Sequence, residues 1–383
     1  MRKICVVVGS RANYSSIKSA MKAIDMHPNL ELQLVVCASA ILDRYGDVSE
    51  LIEQDGFIPS AKVYMVIEGE NPVTMAKSTG LGLLELPAVF DQLKPDFVVT
   101  VGDRYETMAT TLAATYMNLS LVHTMGGEVT GTIDESIRHA TTKFAHIHFP
   151  ASEDARERII KLGEPEHNVY NVGCPRIDMV AEILKKDLTI EEETFFNDGV
   201  GKMLNLNEPF ILLSQHPVTT EFGDNETQIK TTLDAIVELG VQTVAIWPNS
   251  DAGSGEIARG IRKFRECNHD CDIHFFKNLP TDTYIKLMSK TVCIVGNSSS
   301  GIREGAFIGV PVVNIGSRQN HRKRGDNVLD VSHDTKEIVD AIRAQMKHGK
   351  YPKNPLYGDG NAGQKIAEIL SSCEVAIQKT ITF

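Results

Sequence analysis

Residues 95–123 read PDFVVTVGDRYETMATTLAATYMNLSLVH. Two apolar runs, 96–101 and 119–123, flank a segment with a helical pattern over 105–117. A short strand, a helix and a second strand in the same apolar style make a βαβ unit, whose strands run parallel. Asp103, Arg104 and Glu106 follow the first run. His123, Glu128, Asp134, Glu135, Arg138 and His139 close or follow the second. In an open parallel sheet such positions lie at the carboxyl ends of the strands, where ligands bind. Carboxylates beside Arg and His point to proton transfer on an anionic substrate. Gly126, Gly127 and Gly131, set between the charges, argue against a plain solvated helix face.

The same alternation extends outward in both directions. Strands are predicted at 4–8, 32–37, 145–149 and 168–172, and helices at 14–26, 72–92, 135–144, 152–162 and 176–186. After a polar, acidic segment at 186–208 the plan repeats. Strands are predicted at 210–214, 242–247, 272–276, 292–296 and 311–315, with helices at 225–239, 254–266, 281–289, 300–308 and 334–347. A last helix is predicted near 361–378. The reading is an α/β protein of two Rossmann-like domains, with a ligand expected in the cleft between them.

A chain of 383 residues, 42% hydrophobic and 23% charged, has ample material for two cores. Its net charge of −11 argues against nucleic-acid or anionic-membrane partners. Any phosphate-bearing substrate must therefore meet locally positive groups. Seven cysteines without framework spacing indicate a reduced, cytoplasmic setting. Cys267, Cys271 and His274 match no standard zinc spacing, so no metal is expected. The apolar run at the N-terminus is too short for a signal peptide, and no stretch approaches a membrane span.

Further motifs sit at predicted strand ends. Gly9-Ser10-Arg11 follows the first strand and opens a helix, offering backbone N–H groups and a guanidinium to an anion. It lacks the GxGxxG pattern, so no dinucleotide cofactor is expected. Ser298, Ser299, Ser300 and Gly301 form a small, hydroxyl-rich helix start after strand 292–296, suited to a diphosphate, and Glu304 lies one turn on, suited to ribose hydroxyls. There is no GxxxxGK[ST] sequence. His216 ends strand 210–214, where it is placed to contact a phosphate and donate a proton. Asn249 follows strand 242–247, and Arg318 follows strand 311–315.

Taken in order, CVVVGSRANYSSIK, IEQDGF (52–57), LKPDFVVTVGDR, GGEVTGTIDESIRHATTKFAH, GCP (173–175), HPVTT, PNSDAG, GNSSSGIRE, GSRQ and YGDGNA (357–362) resemble the hydrolysing UDP-N-acetylglucosamine 2-epimerases. These are the bacterial sialic-acid-pathway enzymes and the epimerase half of the animal bifunctional epimerase/kinase. The resemblance covers nearly the whole chain. It implies a GT-B arrangement in which the final helix crosses back, so that 1–186 together with 361–383 form one domain and 187–360 the nucleotide-binding one. It implies conversion of UDP-N-acetylglucosamine to UDP and N-acetylmannosamine without metal or nicotinamide, by a homodimer or homotetramer. Arg11, His216, Ser299 and Ser300 would contact the diphosphate. Asn249, Arg318 and Glu304 would hold uridine and ribose. Asp103, Glu128, Asp134 and Arg138 would face the sugar.

Where many relatives carry a carboxylate two residues after the strand-ending His, this chain has Met125, whose thioether cannot transfer a proton. The base must then be Asp103, Asp134 or Glu128. A UDP-linked 2,4-diacetamido-2,4,6-trideoxy sugar is the near alternative, with Met125 lining a more apolar pocket. A non-hydrolysing epimerase, a GT-B glycosyltransferase and a silent sugar-nucleotide sensor are the more distant ones.

Overall fold

The structure is a computed structural model that describes residues 1–42, 48–68, 72–129, 133–218, 221–248 and 253–382. It comprises two units, Met1–Met179 with Gly358–Phe383, and Val180–Tyr357.

In the first unit the strands are β1 (Arg2–Val8), β2 (Leu30–Cys37), β3 (Ala61–Val63), β4 (Phe97–Val101), β5 (Ser120–Thr124) and β6 (Ile147–Phe149). They pair in parallel in the order β3-β2-β1-β4-β5-β6. Successive side chains of a strand point to opposite faces, and both faces are covered. Ile4, Val6 and Val8 accordingly enter one core, and Cys5 and Val7 the other. Strand order reverses between β1 and β4. The loops leaving those two strands, Gly9–Arg11 and Gly102–Arg104, therefore flank the switch point where such sheets take ligands.

The chain returns to this unit through the helix Ala362–Ser372, whose Ile366, Ala367 and Leu370 join the core beneath the helix Lys18–Met26. Asp178 fixes its start. One carboxylate oxygen accepts from Ala362 N (2.9 Å), and the other accepts from Gly363 N (2.7 Å) and Ser19 Oγ (2.8 Å). The backbones run so close that a Cβ on Gly363 would lie 2.6 Å from Ser19 carbonyl atoms. The helix ends at Ser372, short of the predicted 378. The tail beyond it is a strap rather than a helix. His146 Nε2 meets Ile377 O at 2.9 Å, and Lys379 Nζ meets the buried Glu164 at 2.6 Å. Burial works against the Glu164 carboxylate, but bonds from His148, Lys143 and Lys379 outweigh it and hold its pKa down at about 2.

The second unit holds β7 (Gly199–Gly201), β8 (Ile211–Ser214), β9 (Thr243–Ile246), β10 (Ile273–Phe276), β11 (Cys293–Gly296), β12 (Val312–Ile315) and β13 (Val328–Val331). Their order is β13-β12-β11-β8-β9-β10-β7, parallel except for β7, which runs antiparallel along β10. Ile211, Leu213, Ala245, Phe275, Val295 and Val313 form its core with Leu233, Ile261 and Ile342 from the covering helices.

Several predicted elements are corrected. Residues 168–172 are not a strand. They make a single bridge, Val169 to His148, after the short 3-10 turn Glu166–Asn168. The helix predicted at 14–26 is two helices, Arg11–Ser15 and Lys18–Met26. Between and beside them the Ser15 and Ser16 hydroxyls bond back to the carbonyls of Arg11 and Ala12 (3.0 and 2.8 Å), competing with the helical ladder. β3, β7 and β13 escaped prediction because each is short and two of the three are Gly-rich or polar. Among the described residues no helix is long and apolar enough to cross a membrane.

Candidate active site

The first unit concentrates charge at its carboxyl edge. Asp103, one residue beyond the β4 turn, is ion-paired to Arg138. Arg138 is 3% exposed and also donates to the main-chain carbonyl of Glu128 at 2.7 Å. One guanidinium thus ties the loop after β4 to the loop after β5. Asp134 sits one helical turn before Arg138 in Ile133–Phe144, on the same helix face. Arg104 donates from Nε to Glu106 Oε1 at 3.0 Å and also feels the charge of Asp134. Five of the predicted residues, Asp103, Arg104, Glu128, Asp134 and Arg138, therefore form one linked group.

Glu106, which follows the first apolar run in sequence, joins this group although the sequence reading gives it no role. It is 2% exposed, and among the described residues its Oε2 has no hydrogen-bond partner. Burial pushes its pKa up, and Arg104 only partly opposes that. Its side chain lies against Gly9, where an added Cβ would stand 2.2 Å from Glu106 Cγ. Gly9 is therefore needed for close approach, and Glu106 braces the turn carrying Arg11. Asn13 ties that turn down as well. Its Oδ1 accepts from Gly9 N and its Nδ2 donates to Val101 O, both at 3.2 Å. The Arg11 guanidinium makes no hydrogen bond or ion pair among the described residues, so it is available to an anion. The sequence signal for Glu106 and Asn13 is an acid or amide within the first turn of a helix that follows a strand end.

His123 is not a proton-transfer group. It is fully buried, with Nε2 on Gly102 O (2.8 Å) and Nδ1 on Thr142 Oγ1 (3.2 Å). Burial drops its pKa to about 3, so it is a neutral strut. The next residue but one, Met125, is 8% exposed and has φ of 62°. A non-glycine residue in the left-handed region is uncommon, and such outliers gather at functional sites. Gly127 also needs a positive φ, of 75°, and packs where a Cβ would lie 2.3 Å from Ala155 O. Gly131 lies outside the described residues.

The second unit builds its carboxyl edge from amides and hydroxyls. Ser298 caps the helix Ser299–Ile308, its Oγ accepting from Ser300 N at 3.4 Å. The Ser298 and Ser300 hydroxyls are 2.8 Å apart. Ser299 opens the helix. Gly301 is the close-packed member of this turn. Its N–H bonds to Ser298 O at 3.2 Å, and a Cβ there would press on Val312 at 3.1 Å. It serves the packing of this helix on β12. Glu304 lies a turn further in and is buried.

His216, after β8, is held by Asn297, the residue that precedes the Ser298–Ser300 turn. Asn297 is 1% exposed. Its Oδ1 accepts from His216 N (2.7 Å) and its Nδ2 donates to His216 O (2.8 Å). The Asn297 carbonyl then accepts from Arg318 (3.2 Å) and Gln319 (2.9 Å). One asparagine thus joins the loops after β8, β11 and β12 and brings His216 and Arg318 to the Ser298–Ser300 turn. Asn249 and its neighbours 250–252, like 219–220 of the His216 loop, lie outside the described residues. Among the described residues no group of three or more His, Cys, Asp or Glu side chains is placed to hold a metal ion.

The family model for UDP-N-acetylglucosamine 2-epimerase matches residues 22–371. The hydrolysing UDP-N,N'-diacetylbacillosamine 2-epimerase of Legionella pneumophila is 32% identical over 372 residues, covering 97% of this chain and 96% of that protein. The hydrolysing GDP/UDP-N,N'-diacetylbacillosamine 2-epimerase of Campylobacter jejuni is 31% identical, with coverages of 86% and 84%. In fold, the crystal structure of UDP-GlcNAc 2-epimerase from Neisseria meningitidis bound to UDP-GlcNAc aligns with a TM-score of 0.78 at 20% identity, covering 96% of this chain and 99% of that one. With nearly its whole length matched, the chain belongs to the UDP-N-acetylglucosamine 2-epimerase family.

Proposed function

We propose that this enzyme is a hydrolysing UDP-sugar 2-epimerase that releases UDP and the free 2-epimer of a 2-acetamido sugar. The observation that carries the reading is the Arg138 clamp, which holds Asp103 and the Glu128 loop together beside Asp134 at the switch point of the first sheet. The hydrogen at C2 of the sugar is not next to a carbonyl and is a poor acid. It becomes removable when the C1–O bond to the diphosphate breaks first and leaves positive character at C1. The electron pair of that bond departs with UDP. A carboxylate, Asp103 or Asp134, then takes the C2 proton, and the C2–H pair forms the C1=C2 bond of a glycal. Water adds its oxygen to C1, and a proton returns to C2 from the opposite face, aided by Glu128. Arg138 positions rather than reacts.

The departing diphosphate is assigned to Arg11, His216, Ser298, Ser299 and Ser300, whose donors lower the barrier by about 3–4 kcal/mol for each essential one. Arg318, Glu304 and Asn249 are assigned to the uridine and ribose. Arg104, braced by Glu106, supplies charge near the sugar. No metal or nicotinamide enters these steps.

Two sugars fit the chemistry. The relatives named for N,N'-diacetylbacillosamine support the UDP-2,4-diacetamido-2,4,6-trideoxy sugar, the alternative in the sequence reading, as the first reading here. The buried thioether of Met125 suits its deoxygenated carbon. UDP-N-acetylglucosamine, named in the family description, is the second reading, and with it a role in sialic-acid-type biosynthesis. Proton NMR in D₂O with each UDP-sugar tests both. Free manno-configured sugar deuterated at C2, with UDP, is expected. Product still linked to UDP, or no exchange at C2, overturns the hydrolysing reading. If Asp103→Asn and Asp134→Asn both keep near-normal turnover, the base lies elsewhere. We further propose a cytoplasmic homodimer or homotetramer. Seven free cysteines and the exposed Val73, Met75 and Leu84 on the helix Pro72–Leu93 support this, and light scattering tests the assembly.

A further inference from the structure

A tyrosine that neither the motifs nor the proposed reaction uses sits at the centre of the hydroxyl edge. Tyr284, in the helix Thr281–Lys290, places its Oη 2.7 Å from Ser300 Oγ. Ser300 Oγ is 2.8 Å from Ser298 Oγ. The Ser214 hydroxyl lies close enough to act on the phenol as a donor, drawing its pKa down against burial. Ser214, the last residue of β8, in turn reaches His216 Nε2 at 3.5 Å. Elements distant in sequence thus send four hydroxyls to one point. One end of the network is the imidazole of His216, and the other is the capped start of the helix Ser299–Ile308.

Each hydroxyl owns one hydrogen and two acceptor lone pairs. Left alone, serine hydroxyls turn toward whichever neighbour is nearest, and a pair 2.8 Å apart satisfies itself. A phenol is the stronger donor of the set. Burial pushes the Tyr284 phenol up further, so it stays protonated at any physiological pH. When its hydrogen points at one serine, that serine must direct its own hydrogen elsewhere. With the phenol hydrogen spent on Ser300, the Ser214 hydrogen turns to the phenol oxygen, which leaves the Ser214 oxygen to accept from the imidazole nitrogen it faces and requires the imidazole proton on Nε2.

We propose that Tyr284 is a positioning residue of the diphosphate site: its hydroxyl sets the directions in which Ser298 and Ser300 present their hydrogens to an anion and, through Ser214, fixes the tautomer of His216. The inference rests on the assignment of these serines and His216 to the diphosphate, and the experiment separates the two claims. UDP binding is measured by calorimetry on the wild type and on Tyr284→Phe, which keeps the ring and removes only the hydroxyl. The ¹⁵N shifts of the His216 ring are recorded on the same proteins without ligand.

Failure of the wild type to bind UDP would sink the diphosphate assignment itself. If the wild type binds, Tyr284→Phe is expected to lose roughly three- to tenfold in affinity, the range of one net hydrogen bond. The His216 shifts are expected to move toward a tautomer mixture. A purely structural tyrosine would alter melting without touching those shifts. Affinity within about twofold of wild type, or unmoved shifts, overturns the proposal. Should Tyr284→Phe fail to fold, Ser214→Ala isolates the histidine arm. Moved His216 shifts support the relay, and unmoved shifts refute it.

Discussion

The two units share an architecture and differ in what they place at the same edge of it. Both are sheets of mainly parallel strands with helices on both faces, and both carry their polar residues in the loops that follow strands. The first unit fills those loops with acid–guanidinium pairs, Asp103 with Arg138 and Arg104 with Glu106. The second fills them with neutral donors and acceptors, Asn297, Tyr284 and the serines. A carboxylate group held by a shared guanidinium is suited to moving protons, because small changes in position change its basicity. A lattice of amides and hydroxyls barely titrates, so it is suited to holding an anion that must arrive and leave unchanged. On the proposed function, the contrast divides one scaffold between chemistry and binding.

The contrast can be broken most sharply at Arg138. Arg138→Ala frees both loops at once, and turnover is expected to fall about a hundredfold or more, as for a misplaced reacting group. UDP affinity is expected to hold. Steady-state kinetics with calorimetry would show whether the damage stays in the first unit. The counterpart is Asn297→Ala, which orphans the His216 N–H and C=O. A loss of about 2–4 kcal/mol in chemical denaturation is expected, with weakened UDP binding.

Acid distinguishes the edges next. His123 binds its proton in the folded chain only near pH 3, against about 6.5 when unfolded. Its contribution is complete above pH 6.5 and is lost as pH falls toward 3, at up to about 1.4 kcal/mol per pH unit. Denaturation curves of His123→Gln should show a shallower decline across that window. A smaller effect is expected for Gly9→Ala, about 1–3 kcal/mol from the clash with Glu106. The double variant with Glu106→Ala should cost less than the sum of the singles. The smallest concerns Met125. Met125→Asn, which tolerates the left-handed backbone, should change stability by less than about 1 kcal/mol. It should nonetheless lower the ratio of kcat/KM for the trideoxy sugar over UDP-N-acetylglucosamine.

The legible part of this molecule was its long-range order. Runs such as FVVTV and CIVG announce buried parallel strands because both faces must be apolar, and the charged or hydroxyl-rich loops after them announce the ligand edge. The residues that hold that edge in shape were not legible. Glu106, Asn13, Asn297 and Tyr284 act through partners brought near only by the sheet order. Nothing in the sequence says that Gly9 will rest on Glu106, or that a tyrosine in a surface-type helix will reach a serine sixteen positions on. Short elements were lost for a related reason. β13 exposes its middle residues, and its neighbour β12, rather than its own composition, makes it a strand.

The capped return helix Ala362–Ser372 has a bearing on synthesis. Its Ile366 and Leu370 complete a core begun by β1, yet the ribosome makes them only after all of Val180–Tyr357. The second unit has its whole sequence in hand earlier, while the first must wait with an open hydrophobic groove along Lys18–Met26. In the nascent protein that groove is the surface a chaperone would meet, and a stalled or truncated message would leave it uncovered.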